Sequence, residues 1–182
     1  LKVENVGLTD IAFLQYTGGT TGISKGAALT HANLLANKQQ IALWLEAAFA
    51  HRKRPEGMTF LCALPLYHIF ALTVNSLMGI ATGSNNLLIA NPRDIPAFVK
   101  ELGKYKVHIF PGLNTLFNAL MNNKDFRGLD FSSYILVLGG GMAVQKPVAE
   151  RWLAMTGCPI TEGYGLSETS PVATVNRLDR KE

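Results

Sequence analysis

The stretch Val107–Met121, VHIFPGLNTLFNALM, decides the fold class. Val107 to Phe110 is a short apolar run of strand type, Pro111-Gly112 punctuates its end, and Thr115 to Met121 carries apolar residues at helical spacing. A strand that hands over to a helix within a few residues is half of a βαβ unit, and further halves flank it. Upstream, Thr59 to Leu64 reads as strand, Ile69 to Ala81 as helix and Asn86 to Ala90 as strand. Asn91-Pro92 then marks the start of a helix from Asp94 to Lys104. Downstream, Tyr134 to Leu138 reads as strand, Gln145 to Met155 as helix and Ile160 to Glu162 as a last short strand. Parallel neighbours need crossover connections, and right-handed crossovers lay helices on both faces. The series therefore predicts an α/β fold on a mostly parallel, doubly wound sheet. Ligands in such sheets sit beyond the carboxyl ends of the strands. Three segments fall there: Tyr67-His68, Gly139-Gly140-Gly141 and Gly163 to Glu168.

Composition fits a globular chain with its own core: 182 residues, 48% hydrophobic and 16% charged. The formal net charge is +4. Positive charge clusters only at His51-Arg52-Lys53-Arg54, beside Pro55, Glu56 and Gly57, where it reads as a solvated loop; no aromatic interleaving points to nucleic acid. Cys62 and Cys158 are far apart and have no paired Cys/His spacing, so free core thiols in a reducing cytoplasm are expected rather than zinc ligands or a disulfide. The N-terminal LKVENVGLTD lacks the pattern of a secretory signal. The apolar stretch Phe60 to Ala81 is interrupted by Pro65, His68 and Asn75, and reads as two buried elements, not a membrane span.

The most informative run for function is Leu14–Lys25, LQYTGGTTGISK, with three glycines, four Ser/Thr hydroxyls and a lysine. Glycines let backbone N–H groups approach a polyanion, hydroxyls bind phosphate or Mg²⁺, and the lysine adds charge. A flexible hairpin turn is the plainer alternative. The run is not a Walker A loop, because Gly22 precedes Ile23 and Lys25 stands between Ser24 and Gly26. Thr30 can cap a following helix that continues to about Phe49, with Leu34, Leu35, Ile41 and Leu45 at helical spacing.

A second segment, Gly163 to Thr169, GYGLSET, joins an aromatic ring, two glycines and a carboxylate. A ring can stack on a purine and a carboxylate can hold Mg²⁺, whereas Ser167 or Thr169 could equally cap a short helix. Gly139-Gly140-Gly141-Met142 lacks GxGxxG spacing and reads as a tight turn or as a close ligand approach. His68 is a structural or a functional residue, while the Phe70, Leu72, Val74, Leu77 and Met78 positions could line a tunnel.

Taken together, LQYTGGTTGISK and YGLSE resemble the two signatures of the adenylate-forming enzymes: acyl-CoA synthetases, luciferases and peptide-synthetase adenylation domains. PLYHIFALT, NPRDIP and GLNTLFNALMNN with DFSS further resemble bacterial long-chain fatty acid–CoA ligases. The resemblance implies part of the large N-terminal domain of an acyl-CoA synthetase, with a phosphate-loop hairpin and helix over residues 1–57 and a βαβ series over 58–182. It implies catalytic roles for Lys25, Thr20 and Glu168, with Thr20 and Glu168 on Mg²⁺. Phosphates would be held by Thr17, Gly18, Gly19, Thr20, Thr21, Gly22 and Lys25. Adenine would meet Gly140, Gly141, Glu162, Gly163, Tyr164 and Gly165. The acyl group would meet His68, Asn114, Thr115, Gly139 and Gly141, although a helix start explains Asn114 and Thr115 as well.

Peptide-synthetase adenylation domains carry an Asp near the position of Tyr67-His68 that pairs with a substrate amine. Its lack here implies a substrate without one, such as an alkyl chain that gains about 0.8 kcal/mol per buried CH₂. ATP, CoA and a long-chain fatty acid are the implied partners, in the cytoplasm. Peripheral contact with the inner membrane and a homodimer are left open. Complete family members also carry a ribose-binding Asp in a Thr-Gly-Asp motif and a mobile C-terminal domain with a catalytic Lys. Neither can follow Thr169 here, so an internal piece, inactive alone, is expected. A non-catalytic nucleotide- or acyl-binding module and a ligase of different chain-length specificity remain as alternatives.

Overall fold

The computed structural model describes residues 4–17 and 24–178. Strands β1 (Ile11–Thr17) and β2 (Lys25–Thr30) pair antiparallel as a separate hairpin, with Thr17 opposite Lys25. Helix α1 (His31–Glu46) starts where Thr30 accepts from the Asn33 N–H and Asn33 accepts in return from the Thr30 N–H, a reciprocal cap that satisfies otherwise orphaned donors. After β3 (Thr59–Cys62) comes a helix in three pieces: α2 (Ile69–Ala71), a π-helical turn (Leu72–Leu77) and α3 (Met78–Ala81). The series continues through β4 (Asn85–Leu88), α4 (Ile95–Leu102), β5 (Ile109–Gly112), α5 (Asn114–Asn122), β6 (Leu136–Gly139), α6 (Lys146–Thr156), β7 (Ile160–Gly165) and β8 (Val172–Val175).

The main sheet has the order β4-β3-β5-β6-β7-β8, parallel from β4 to β7 with β8 antiparallel at the edge. The chain winds outward from β3 to β4, then crosses back to β5, so direction reverses between β3 and β5. That is the expected doubly wound α/β arrangement.

Side chains alternate along each strand and sort the core into two layers. Leu61, Phe110 and Val137 face α4, α5 and α6, where they meet Phe98, Leu102, Phe117, Leu120 and Trp152. Their neighbours Phe60, Ile109 and Leu136 face the other way, onto Ile41 and Leu45 of α1 and Met78 of α3. Cys62 and Cys158 are buried free thiols, and burial pushes the Cys158 pKa up to about 11. No helix among the described residues is long and apolar enough to cross a membrane.

Three boundaries differ from the sequence expectation. Pro111-Gly112 lies inside β5 and not after it, paired with Leu138 and Gly139. The Gly112 carbonyl accepts from Gly140 on the β6 side, so Pro111, one residue earlier, turns toward β3. The β3–β5 register has already ended at Phe60 and Ile109, and no donor is missed there. Second, β7 continues past Glu162 to Gly165. Its glycines are held extended by β8, the strand that the sequence did not reveal. Third, β6 starts at Leu136 and takes in Gly139.

Candidate active site

The early end of the β3–β5 ladder opens the sheet at its carboxyl edge, at the reversal of winding where α/β sheets bind ligands. A cavity of about 560 Å³ occupies this region. Its floor is the end of β6 with Leu138, Gly140 and Gly141. One wall is α1 with Asn37, Ile41 and Trp44, and another is Ile69, Phe70 and Val74. Gly163 to Glu168 and Pro171 to Val175 close the far side, and Thr17 of the hairpin reaches the rim.

Of the sequence-derived candidates, Thr17, His68, Gly140, Gly141, Gly163, Tyr164, Gly165 and Glu168 line this one cavity. Tyr164 is 62% exposed, a ring that offers a face to a ligand. Glu168 sits in the short 3₁₀ turn Ser167–Thr169, which packs against both hairpin strands. Thr17 donates through Oγ1 to the Lys25 carbonyl at 3.3 Å across the hairpin mouth. Gly18, Gly19, Thr20, Thr21 and Gly22 lie outside the described residues.

Backbone proximity explains the glycines. A Cβ on Gly165 would stand 1.9 Å from the Pro171 carbonyl oxygen, so only hydrogen fits where β7 and the start of β8 cross. Gly140 has the Phe70 ring against it, and Gly141 adopts a φ of 75°.

Other candidates serve elsewhere. Asn114 is buried and its amide bridges the loop after β6, donating to the Ala143 carbonyl (2.6 Å) and accepting from the Gln145 N–H (3.1 Å). Both of these amide groups hold protein backbone, which explains Asn114 as a loop bracket beyond the cavity lining. Thr115 is exposed on α5 and also lies outside the lining, as do Lys25, Gly139 and Glu162. A Cβ on Gly139 would meet Val144 at 2.5 Å, a packing constraint. Glu162 accepts from the Val144 N–H at 3.4 Å.

His68 caps α2: its Nδ1 accepts from the Phe70 N–H at 3.2 Å, which leaves Nε2 to carry the ring proton of the neutral form. Gln15 of β1 donates to the Tyr67 carbonyl (3.0 Å) and ties this segment to the hairpin.

The sequence reading passed over Asn37, Gln40, Trp44 and the strand Val172–Val175, all of which line the cavity. Asn37 did leave a signal. It stands on the inward stripe of α1 with Leu34, Ile41 and Leu45, a polar residue where the helical period asks for an apolar one.

The AMP-binding enzyme family matches residues 1–182. The chain belongs to the AMP-binding enzyme family. Among curated relatives, the long-chain-fatty-acid–CoA ligase of Escherichia coli O6:H1 is 57% identical over 93% of this chain, and that of Bacillus subtilis 168 is 36% identical over 92%. The chain spans about 30% of the length of these relatives. The ATP-bound crystal structure of MatB from Rhodopseudomonas palustris superposes with a TM-score of 0.80 at 25% identity, covering 97% of this chain and 33% of MatB. The anthranilate CoA ligase AuaEII has the same fold, with a TM-score of 0.84 at 23% identity.

As in other AMP-binding enzymes, a nucleotide would bring much of its own charge to this cavity. Among the described residues no group of three or more His, Cys, Asp or Glu could cage a metal ion. One carboxylate beside a hydroxyl-rich loop suits Mg²⁺, which takes one or two protein oxygens and completes its shell with phosphates and water. Glu168 fits that requirement.

Proposed function

We propose that this chain carries the nucleotide and acyl sites of a long-chain fatty acid–CoA ligase. The fatty acid carboxylate attacks the α-phosphorus of ATP, the bond to the β-phosphate breaks, and acyl-AMP and pyrophosphate form. The thiol sulfur of CoA then attacks the acyl carbon and AMP leaves. The observation that carries this reading is a single cavity with two chemistries. Thr17, Tyr164 and Glu168 stand on one side, and an apolar wall of Ile69, Phe70, Val74 and Leu138 on the other. The 57% identity with long-chain-fatty-acid–CoA ligases supports the substrate class.

Joining two anions is chiefly a problem of charge neutralisation and alignment. In this reading Tyr164 stacks on adenine, with the backbone of Gly140, Gly141, Gly163 and Gly165 close against it. Thr17 and Lys25, with the Gly18–Gly22 run between them, hold phosphates. Glu168 and Thr20 hold Mg²⁺, which supplies positive charge to the phosphate oxygens. Phe70 and Val74 flank the alkyl chain, and His68 stands at the carboxylate end. Asn114, Thr115 and Gly139 stay outside the reading.

The test is fatty-acid-dependent ATP–pyrophosphate exchange in the full-length protein that contains this chain. Glu168→Ala is expected to lower exchange by roughly 10²–10³-fold, the usual loss of a preorganised charge-stabilising group. Unchanged exchange would overturn the assignment. Fatty acids of increasing length, compared by kcat/KM, decide the chain-length class.

A further inference from the structure

Asn37 lines the cavity, yet its amide is committed to protein. Nδ2 donates to the Val172 carbonyl at 2.7 Å and to Gln40 Oε1 at 3.4 Å, and Oδ1 accepts from the Val172 N–H at 3.2 Å. The residue is 4% exposed. A side-chain amide that pairs with both backbone groups of one residue mimics a neighbouring strand, so α1 takes the place of a strand along the free edge of β8. An Asn inside a helix is a poor helix former, and its presence on the buried stripe of α1 needs this compensation.

What Asn37 holds is the far end of the Glu168 segment. Between Glu168 and Val172 the chain turns through Ser170, a non-glycine residue at φ 72°. Thr73 of the π-helical turn donates to the Ser170 carbonyl at 3.5 Å, and the Leu166 N–H donates to the Pro171 carbonyl at 3.1 Å. At its other end, α1 begins directly at Thr30, the last residue of hairpin strand β2. One rigid helix therefore connects the strand that leaves the glycine run with the segment that carries Glu168.

We propose that Asn37 is a positioning residue: through Val172 it fixes where the Glu168 carboxylate stands relative to the phosphate-loop hairpin, and thereby sets Mg²⁺-assisted nucleotide binding. The inference rests on the proposed role of Glu168. A misplacement of about 1 Å remote from the chemistry can lower rates on the order of a hundredfold, which bounds the effect.

The experiment measures equilibrium binding of a non-hydrolysable ATP analogue to the full-length protein, with Mg²⁺ and with EDTA, alongside thermal melting. Asn37→Leu keeps the helix and the approximate volume but removes all three bonds. It is expected to shrink the Mg²⁺-dependent gain in analogue affinity about tenfold, within that bound, while affinity in EDTA stays near that of the parent. Thr73→Val, which removes the longer bond at Ser170, shifts the gain in the same direction by less, and it carries the test should Asn37→Leu fail to fold. A lowered melting temperature with an undiminished Mg²⁺-dependent gain would make Asn37 structural only and overturn the inference. Absence of a Mg²⁺-dependent gain in the unsubstituted protein would overturn the proposed role of Glu168 itself.

Discussion

The two faces of the main sheet are built from different materials. On the face covered by α4, α5 and α6, Phe110, Phe117, Phe126, Tyr134 and Trp152 form one aromatic cluster, with Trp152 stacked on Tyr134 and tilted or edge-on to the others. Offset and edge-to-face rings add about 0.5–1.5 kcal/mol per pair to the burial of their area. The face covered by α1 and the π-helical turn is closed by buried amides, Asn37 on Val172 and Asn75 on the Leu61 carbonyl (3.0 Å), and it contains the cavity. Directional bonds leave room between the elements they join, whereas interlocked rings do not. The comparison teaches where rigidity is supplied by packing and where it must be supplied by geometry so that a ligand can enter.

The largest effect should come from breaking the aromatic face. Trp152→Ala empties a fully buried site and is expected to cost about 3–5 kcal/mol. Its indole N–H has no partner, so no bond is lost with the ring. Denaturant melts check the cost; nucleotide binding by the molecules that remain folded should be unaltered, because Trp152 does not line the cavity. On the other face, Gly165→Ala forces a Cβ against the Pro171 carbonyl and is expected to cost about 3 kcal/mol, the upper end for overpacking, because the obstacle is backbone. Here nucleotide affinity should fall together with the melting temperature, and a neutral result would contradict the crossing of β7 and β8.

A smaller loss, about 2 kcal/mol, is expected for Asn114→Ala, which strands the Ala143 carbonyl and the Gln145 N–H of the loop after β6. Hydrogen exchange localised to residues 139–145 would register it. The smallest effect lies where the strands begin. His108 accepts from the Thr59 N–H at 3.0 Å, and burial, aided by Lys106, holds its pKa below the ordinary 6.5. The unfolded chain therefore binds the proton more readily, and stability declines as pH falls from about 6.5 through the depressed value. Melts between pH 7.5 and 5 should show this decline, and His108→Gln should flatten it.

Much of this arrangement was legible in the residues. Each helix of the βαβ series fell within a few residues of its expected span, because strands buried on both faces read as apolar runs and the helices keep their 3.6 period. Glycine and proline misled in opposite ways. Gly163 and Gly165 read as loop but are strand, because β8 holds them extended, and Pro111 read as a stop but continues β5 beside a ladder that has ended. Within the candidate site, the motif residues that reach the cavity come from segments beyond or at strand ends, a placement that topology alone implies. Asn114 and Asn37 could not be assigned from sequence, since each acts on backbone about 30 and 135 positions away.

The π-helical turn at Leu72–Leu77 has a consequence for how this segment tolerates insertions and deletions. Three successive residues, Thr73, Val74 and Asn75, all face inward there, which a regular helix cannot arrange. Such a turn amounts to one residue more than α-helical winding requires. Deleting a single residue between 72 and 77 would restore ordinary winding but swing everything after it by about 100°. Met78 would leave the core, and Gly79, where a Cβ would meet the Asn86 amide at 2.3 Å, would no longer face β4. The length of this segment is therefore as much a part of the design as its composition.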